Sequence, residues 1–164
     1  MREELLILTT GGTIDKVYFD GNSRYQVGTP QIAEILKTVN IELIYRVETL
    51  FRKDSVDLTP DDRAIITRRV QETDSQRIVI THGTDTMVTT AEELTAVRDK
   101  TIVLVGSLTP ARFKSTDAEF NIGFALAAVQ TLPAGVYITM NGCIFDPWHV
   151  RKNTKRNRFE ATKP

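Results

Sequence analysis

The run Leu5–Ile14, L-L-I-L-T-T-G-G-T-I, constrains this chain more than any other stretch. Leu5 to Leu8 are four consecutive apolar residues, the pattern of a strand buried on both faces. The run then breaks into Thr-Thr-Gly-Gly-Thr. Adjacent glycines permit positive φ and let other groups approach the backbone closely. In an open α/β sheet, ligands gather just beyond the carboxyl ends of the strands. Thr13 is thereby placed as a hydroxyl on a tight loop over a binding crevice. The plain alternative is an ordinary strand-to-loop turn with surface threonines.

Strand and helix patterns alternate along the rest of the chain. A polar loop is expected over Asp15–Gly28, rich in Gly, Asn, Ser and Asp. Thr29-Pro30 reads as a helix cap followed by Pro at the first helical position, with Ile32, Ile35, Leu36 and Val39 at helix spacing. Ile41–Val47 reads as the second strand and Leu50–Leu58 as a loop. Thr59-Pro60-Asp61-Asp62 opens the next helix, its acids in the first turn where the helix dipole favours them. Further strands are expected at Arg77–Thr81, Thr101–Val105, Gly135–Met140 and, shorter, Cys143–Phe145. Helices are expected from the residues after Thr86 to about Val97 and over Asp117–Leu132. This alternation predicts βαβ units and a three-layer, doubly wound, mostly parallel sheet.

Composition narrows the function. The 164 residues fit one domain and are enough to bury a real core. Lys+Arg and Asp+Glu balance at 21 each, which gives no reason to propose a nucleic-acid partner. Arg151, Lys152, Lys155, Arg156 and Arg158 crowd together near the end, a pattern that reads as a solvated face. The single cysteine, Cys143, excludes a disulfide framework within the chain. With no apolar run long enough for a bilayer or a signal peptide, a cytoplasmic protein without membrane association is expected. Two histidines, His82 and His149, argue against a multi-histidine metal site, and no cofactor is expected. Gly11-Gly12 belongs to neither a G-x-G-x-x-G nor a G-x-x-x-x-G-K-[ST] phosphate loop.

Three strands end in loops rich in hydroxyls and glycine: Thr9–Thr13, Thr81–Thr86 and Gly106–Thr109. Neighbouring parallel strands would gather Thr13, Thr84 and Asp85 in one crevice. A threonine hydroxyl is a poor nucleophile until a neighbour takes its proton. Lys152, Lys114 and Lys53 are the candidate lysines for that work, and Tyr18 and Tyr25 the candidate proton-transfer partners of Thr13. Asp85 could hold the lysine, bind a substrate's ammonium, or cap the following helix. His82 reads as a packed, hydrogen-bonded histidine.

Two motifs carry a resemblance. T-G-G-T-I at Thr10–Ile14 and H-G-T-D-T at His82–Thr86 are similar to the signature motifs of the bacterial-type L-asparaginases. Asn22–Gly28 resembles the mobile loop bearing the family's catalytic tyrosine. Asp54–Pro60 resembles its substrate-carboxylate loop, and Val150–Thr154 the segment bearing its catalytic lysine. The resemblance runs along nearly the whole chain and implies a Rossmann-like fold of the family's N-terminal domain type.

What the resemblance implies is hydrolysis of L-asparagine to L-aspartate and ammonia. By carry-over, Thr13 is the nucleophile, with Tyr25 as its tyrosine and Tyr18 as competitor. Thr84 and Lys152 form a second hydroxyl–base pair, and Asp85 binds the substrate's amino group. Ser55, beside Asp54, binds the α-carboxylate, and Gly12 and Gly83 belong to the substrate-binding loops. A homo-oligomer, dimer or tetramer, is inherited from the family. Residues 1–164 are expected to form one domain without the C-terminal domain of longer members. Val56 stands where many members carry a glutamine or serine that contacts substrate. The rival readings are a non-catalytic amino-acid-binding module with the same fold, and hydrolysis of another amide such as glutamine.

Overall fold

The computed structural model describes residues 4–18 and 24–163. Strand β1 (Leu5–Gly11) is buried along its whole length and leads into a short 3-10 turn, Thr13–Asp15. A small antiparallel hairpin follows, β2 (Lys16–Tyr18) and β3 (Tyr25–Val27), then helix α1 (Ile32–Thr38). Strand β4 (Tyr45–Lys53) leads through a 3-10 turn at Ser55–Asp57 to α2 (Pro60–Glu72). Then come β5 (Arg77–Thr81), α3 (Met87–Leu94), β6 (Thr101–Val105), α4 (Ala118–Thr131), β7 (Gly135–Met140) and β8 (Cys143–Phe145). A 3-10 turn at Pro147–His149 and a second hairpin, β9 (Val150–Asn153) with β10 (Arg158–Ala161), complete the described chain.

Six strands form one sheet in the order β4-β1-β5-β6-β7-β8. All pairings are parallel except β7 with β8. Alternating strand residues feed two cores. Leu6, Leu8, Ile78, Ile80, Ile102 and Leu104 face α2 and α3, packing on Ile66, Val70, Met87 and Leu94. Leu5, Ile7, Val79, Val103 and Val105 face α1 and α4 on the other side. Helices on both faces make the doubly wound, three-layer α/β fold that the alternation predicts. Full burial of Leu6, Ile7 and Leu8 contributes roughly 2 kcal/mol each.

Strand β1 lies between β4, which follows it, and β5, reached only after the chain has returned across the sheet. The winding direction therefore reverses between β1 and β5. A crevice opens at such a reversal, beyond the carboxyl ends of the two strands.

Three local expectations need correction. The second strand is Tyr45–Lys53, not Ile41–Val47, so the expected loop at Leu50–Leu58 begins as strand. This edge strand is only partly buried, and its mixed sequence YRVETLFRK hides it from a search for apolar runs. Helix α1 begins after Gln31 and takes no side-chain cap from Thr29. Instead the Asp15 carboxylate accepts the Gln31 N–H at 2.8 Å, a cap supplied from 16 residues away. The expected loop Asp15–Gly28 contains the β2–β3 hairpin; its residues 19–23 lie outside the described residues. The cationic tail folds into the β9–β10 hairpin, with Arg151, Lys155, Arg156 and Arg158 exposed as expected and Lys152 drawn inward.

Candidate active site

The crevice is assembled by glycine contacts. Strands β1 and β5 run in register from Leu5↔Arg77 to Thr9↔Thr81, so their loops leave the sheet side by side. Thr10 Oγ1 donates to the Thr81 carbonyl at 2.8 Å and ties the two ends together. Gly12 has φ of +88°, and a Cβ there would lie 2.4 Å from the Gly83 Cα. A Cβ on Gly83 would lie 2.6 Å from the Ser55 Cβ. The loops after β1, β5 and β4 are thus stacked in direct contact, and only glycine fits between them. Thr13 and Thr84, each next in the chain after a touching glycine, flank the contact. Thr13 is half-buried and opens the 3-10 turn; Thr84 is buried.

Lys152 reaches this point from the far end of the chain. Its Nζ donates to Thr84 Oγ1 at 2.7 Å and to Asp85 Oδ1 at 2.6 Å. Of the three candidate lysines, Lys53 pairs instead with Asp62 at 2.8 Å, and Lys114 is exposed. Asp85 is not a helix cap: α3 is preceded by Thr86 and receives no side-chain cap bond. About half of the Asp85 side chain, 49%, remains open to solvent. The hairpin carrying Lys152 is anchored by Glu160. That carboxylate accepts from Asn153 Nδ2 and Arg158 Nε, each at 2.9 Å, with Arg156 3.5 Å away. The Asn153 and Arg158 bonds, with the nearby arginine charges, hold its carboxyl down at about 2.

Ser55 is almost fully buried between the loops. Its Oγ accepts the Thr86 N–H at 3.3 Å and its carbonyl accepts the Thr86 hydroxyl at 2.8 Å. Asp54 pairs with Lys16 at 2.6 Å, which joins the start of the β2–β3 hairpin to the Ser55 turn. Burial acts to raise the Asp54 carboxyl. The Lys16 ammonium and the Val56 and Ser55 N–H groups outweigh it and hold the carboxyl below the usual range. Val56 is exposed.

Tyr18 and Tyr25 face each other across the hairpin register, rings edge to face at 5.6 Å. Both are about half exposed. Tyr25, with Lys16, Lys53, Asp54 and Asp57, lines a cleft of about 430 Å³, while Tyr18 is not among its walls.

Two buried ionisable groups beside the motifs have no counterpart among the residues singled out from the sequence. Asp15, two residues after Thr13, is 2% exposed, and its Oδ2 has no hydrogen-bond partner among the described residues. Burial pushes its carboxyl up to about 7, against the Gln31 N–H and the Arg52 charge. Arg63, 7% exposed, reaches from α2 to Thr90 on α3. An Asp at a turn and an Arg in a helix carry no mark of burial, so nothing in the chain announces either.

A groove of about 730 Å³ lies at the opposite end of the sheet, beside Leu5, Ile41, Arg77 and Leu126. It holds none of the motif residues. Among the described residues, no group of three or more His, Cys, Asp or Glu side chains is placed to hold a metal ion. None of the described helices is long and apolar enough to cross a membrane.

A doubly wound α/β sheet with a hydroxyl–lysine–carboxylate cluster at its winding reversal defines the class. The family model "Asparaginase, N-terminal" matches residues 4–163, and the chain belongs to that family. It is 33% identical over 177 residues to a glutaminase-asparaginase of Pseudomonas fluorescens biotype A, covering 96% of this chain and 48% of that protein. It is 33% identical over 164 residues to L-asparaginase 2 of Escherichia coli (strain K12), covering 90% of this chain and 46% of that protein. Its fold is similar to that of the thermostable L-asparaginase from Thermococcus kodakarensis, with a TM-score of 0.81 and 30% identity, covering 96% of this chain and 51% of that one. The chain spans about half the length of these relatives.

Proposed function

We propose that this chain carries the catalytic centre of an amidohydrolase that releases ammonia from the side chain of L-asparagine through Thr13. The observation that carries the reading is the placement of Lys152 Nζ on both Thr84 Oγ1 and Asp85 Oδ1. Residues 67 and 68 apart in sequence meet in one hydrogen-bonded cluster beside the Gly12–Gly83 contact.

In this reading the Thr13 hydroxyl attacks the amide carbon while its proton passes to a neighbouring base. Tyr25 is favoured over Tyr18 as the tyrosine on the resemblance of its loop, and it lines a cleft with Asp54 beside the Ser55 turn. The carbonyl oxygen gains charge as the C–O bond forms, and the backbone N–H groups of the Gly-Thr turns are the candidate donors to it. Collapse of that intermediate breaks the C–N bond; the leaving nitrogen takes a proton and departs as ammonia, and water then cleaves the Thr13 ester. Lys152 donates to Thr84 at rest. Once it has given up a proton it can accept the Thr84 proton instead, so the pair works as a second hydroxyl–base unit. The open half of Asp85 faces the substrate ammonium. Ser55 still has its own hydroxyl proton for the α-carboxylate, since its described side-chain bond is one it accepts.

Glutamine is the second substrate, favoured by the likeness to a glutaminase-asparaginase. One methylene in a pocket is worth only about 1–3 kcal/mol of discrimination. Lys152→Met tests the cluster. The expected result is a fall in kcat of about 10²-fold or more with KM within about threefold, the size of a general acid–base contribution. Unchanged kcat would return Lys152 to a purely structural ion pair with Asp85.

A further inference from the structure

The His82 of the second motif does not face the crevice. It is fully buried, with Nδ1 2.7 Å from the Gly83 carbonyl oxygen and Nε2 2.8 Å from Thr90 Oγ1. Thr90 Oγ1 in turn accepts from Arg63 Nε at 3.1 Å, and Arg63 Nη1 donates to the Leu58 carbonyl at 3.1 Å. Arg63 has no carboxylate within ion-pair distance among the described residues.

The Gly83 carbonyl fixes the ring proton. A carbonyl oxygen only accepts, so His82 Nδ1 carries the hydrogen and Nε2 is an acceptor. The Arg63 guanidinium N–H only donates, and it occupies one lone pair of Thr90 Oγ1. The Thr90 hydroxyl has two acceptors in reach, His82 Nε2 at 2.8 Å and the Thr86 carbonyl at 3.5 Å, and the shorter contact takes its hydrogen. Burial, with the Arg63 charge behind it, holds the His82 imidazole down at about 4, so the ring stays neutral in ordinary conditions.

The peptide bond is planar and trans, so its C=O and N–H point in opposite directions. Holding the Gly83 carbonyl on His82 aims the Thr84 N–H away from His82. We propose that Thr90, tied to α2 by Arg63, is a positioning residue that holds the far edge of the His82 ring, and through the ring sets the Gly83–Thr84 peptide and the aim of the Thr84 N–H. None of these three side chains touches the reacting atoms; they act through the loop. The link to turnover rests on the amidohydrolase reading above, in which that N–H is a donor to the developing oxyanion, whereas the positioning itself does not.

The test compares wild type with Thr90→Val, Thr90→Ser and Arg63→Met by nitrogen NMR of the His82 ring, by the Thr84 amide resonance and by steady-state ammonia release. Thr90→Val keeps the shape and removes the hydroxyl. It is expected to shift the His82 Nε2 resonance, shift the Thr84 amide and lower kcat about 10-fold with KM within about twofold. Thr90→Ser restores all three. A Thr84 amide and a kcat that stay at their wild-type values in Thr90→Val overturn the proposal, as does a serine variant no better than valine. If Thr90→Val does not fold, Arg63→Met, which leaves the threonine in place, is expected to move the Thr84 amide in a smaller step. An unmoved amide there overturns the proposal as well. Should wild type release no ammonia, the Thr84 amide still decides the positioning role, and only the amidohydrolase reading falls.

Discussion

Gly12 carries a tight steric constraint in the site. Its φ of +88° is a conformation that side chains disfavour, and a Cβ would collide with backbone rather than with a movable side chain. Gly12→Ala is therefore expected to destabilise the protein by roughly 2–4 kcal/mol, read by urea unfolding. A loss below about 0.5 kcal/mol would show that the β1 and β5 loops are not packed as described. Such a constraint is half legible in sequence: adjacent glycines announce close approach, but only the fold says that the approaching group is Gly83. Lys152 is a similar case. The residues alone leave it one of three candidate lysines, the resemblance singles it out, and the fold adds the hairpin that brings residue 152 to residue 84. Thr90 and Arg63 were out of reach altogether, because a threonine and an arginine inside helices read as surface positions until the opposite elements are in place.

At the scale of elements, the strands buried on both faces were the readable ones. β5, β6 and β7 fall where their apolar runs predict, because strands covered on both faces by helices are mostly apolar. β4 was misplaced because an edge strand has one open side and keeps Arg46, Glu48 and Arg52 in its sequence. The start of α1 was misassigned because its cap comes from Asp15 across a hairpin. The β9–β10 hairpin has no apolar run to announce it: its three arginines are exposed and still gather around Glu160. Isolated surface ion pairs contribute little, so the weight of this group lies in holding the hairpin's shape. Glu160→Gln is expected to speed amide exchange across residues 150–161 and to lower kcat severalfold by loosening Lys152, with global stability nearly unchanged. Unaltered exchange in that segment would contradict the anchoring role.

The whole molecule inherits an unusual pH dependence from two buried groups. Folding raises the Asp15 carboxyl to about 7, so between about pH 4 and 7 the folded chain keeps a proton that the unfolded chain has released. That makes stability fall as pH rises through this window. Folding lowers the His82 imidazole to about 4, so between about pH 4 and 6.5 the folded chain lacks a proton that the unfolded chain holds. That makes stability rise over nearly the same window, and the two slopes oppose each other. Asp15→Asn keeps an oxygen for the Gln31 N–H and removes one slope. Its stability is expected to climb between pH 4 and 6.5 by on the order of 3 kcal/mol, while wild type stays flatter, as read by urea midpoints at each pH. Parallel profiles would contradict the buried state of one of the two groups. The fold that creates these environments was itself legible, since the strand–helix alternation leaves few alternatives. The environments were not, because burial belongs to the assembled layers and to no single residue.

In the proposed function, the cluster at the β1–β5 reversal hydrolyses a side-chain amide through Thr13. The most direct measurement is ammonia release from L-asparagine and L-glutamine, side by side, with wild type and Thr13→Ala. The account predicts release by wild type, faster from asparagine, and loss of at least about 10³-fold in the variant with its fold intact by circular dichroism. Release that persists in Thr13→Ala would contradict the nucleophile. No release from either amide by the folded wild-type chain would contradict the activity and leave the crevice as an amino-acid-binding site.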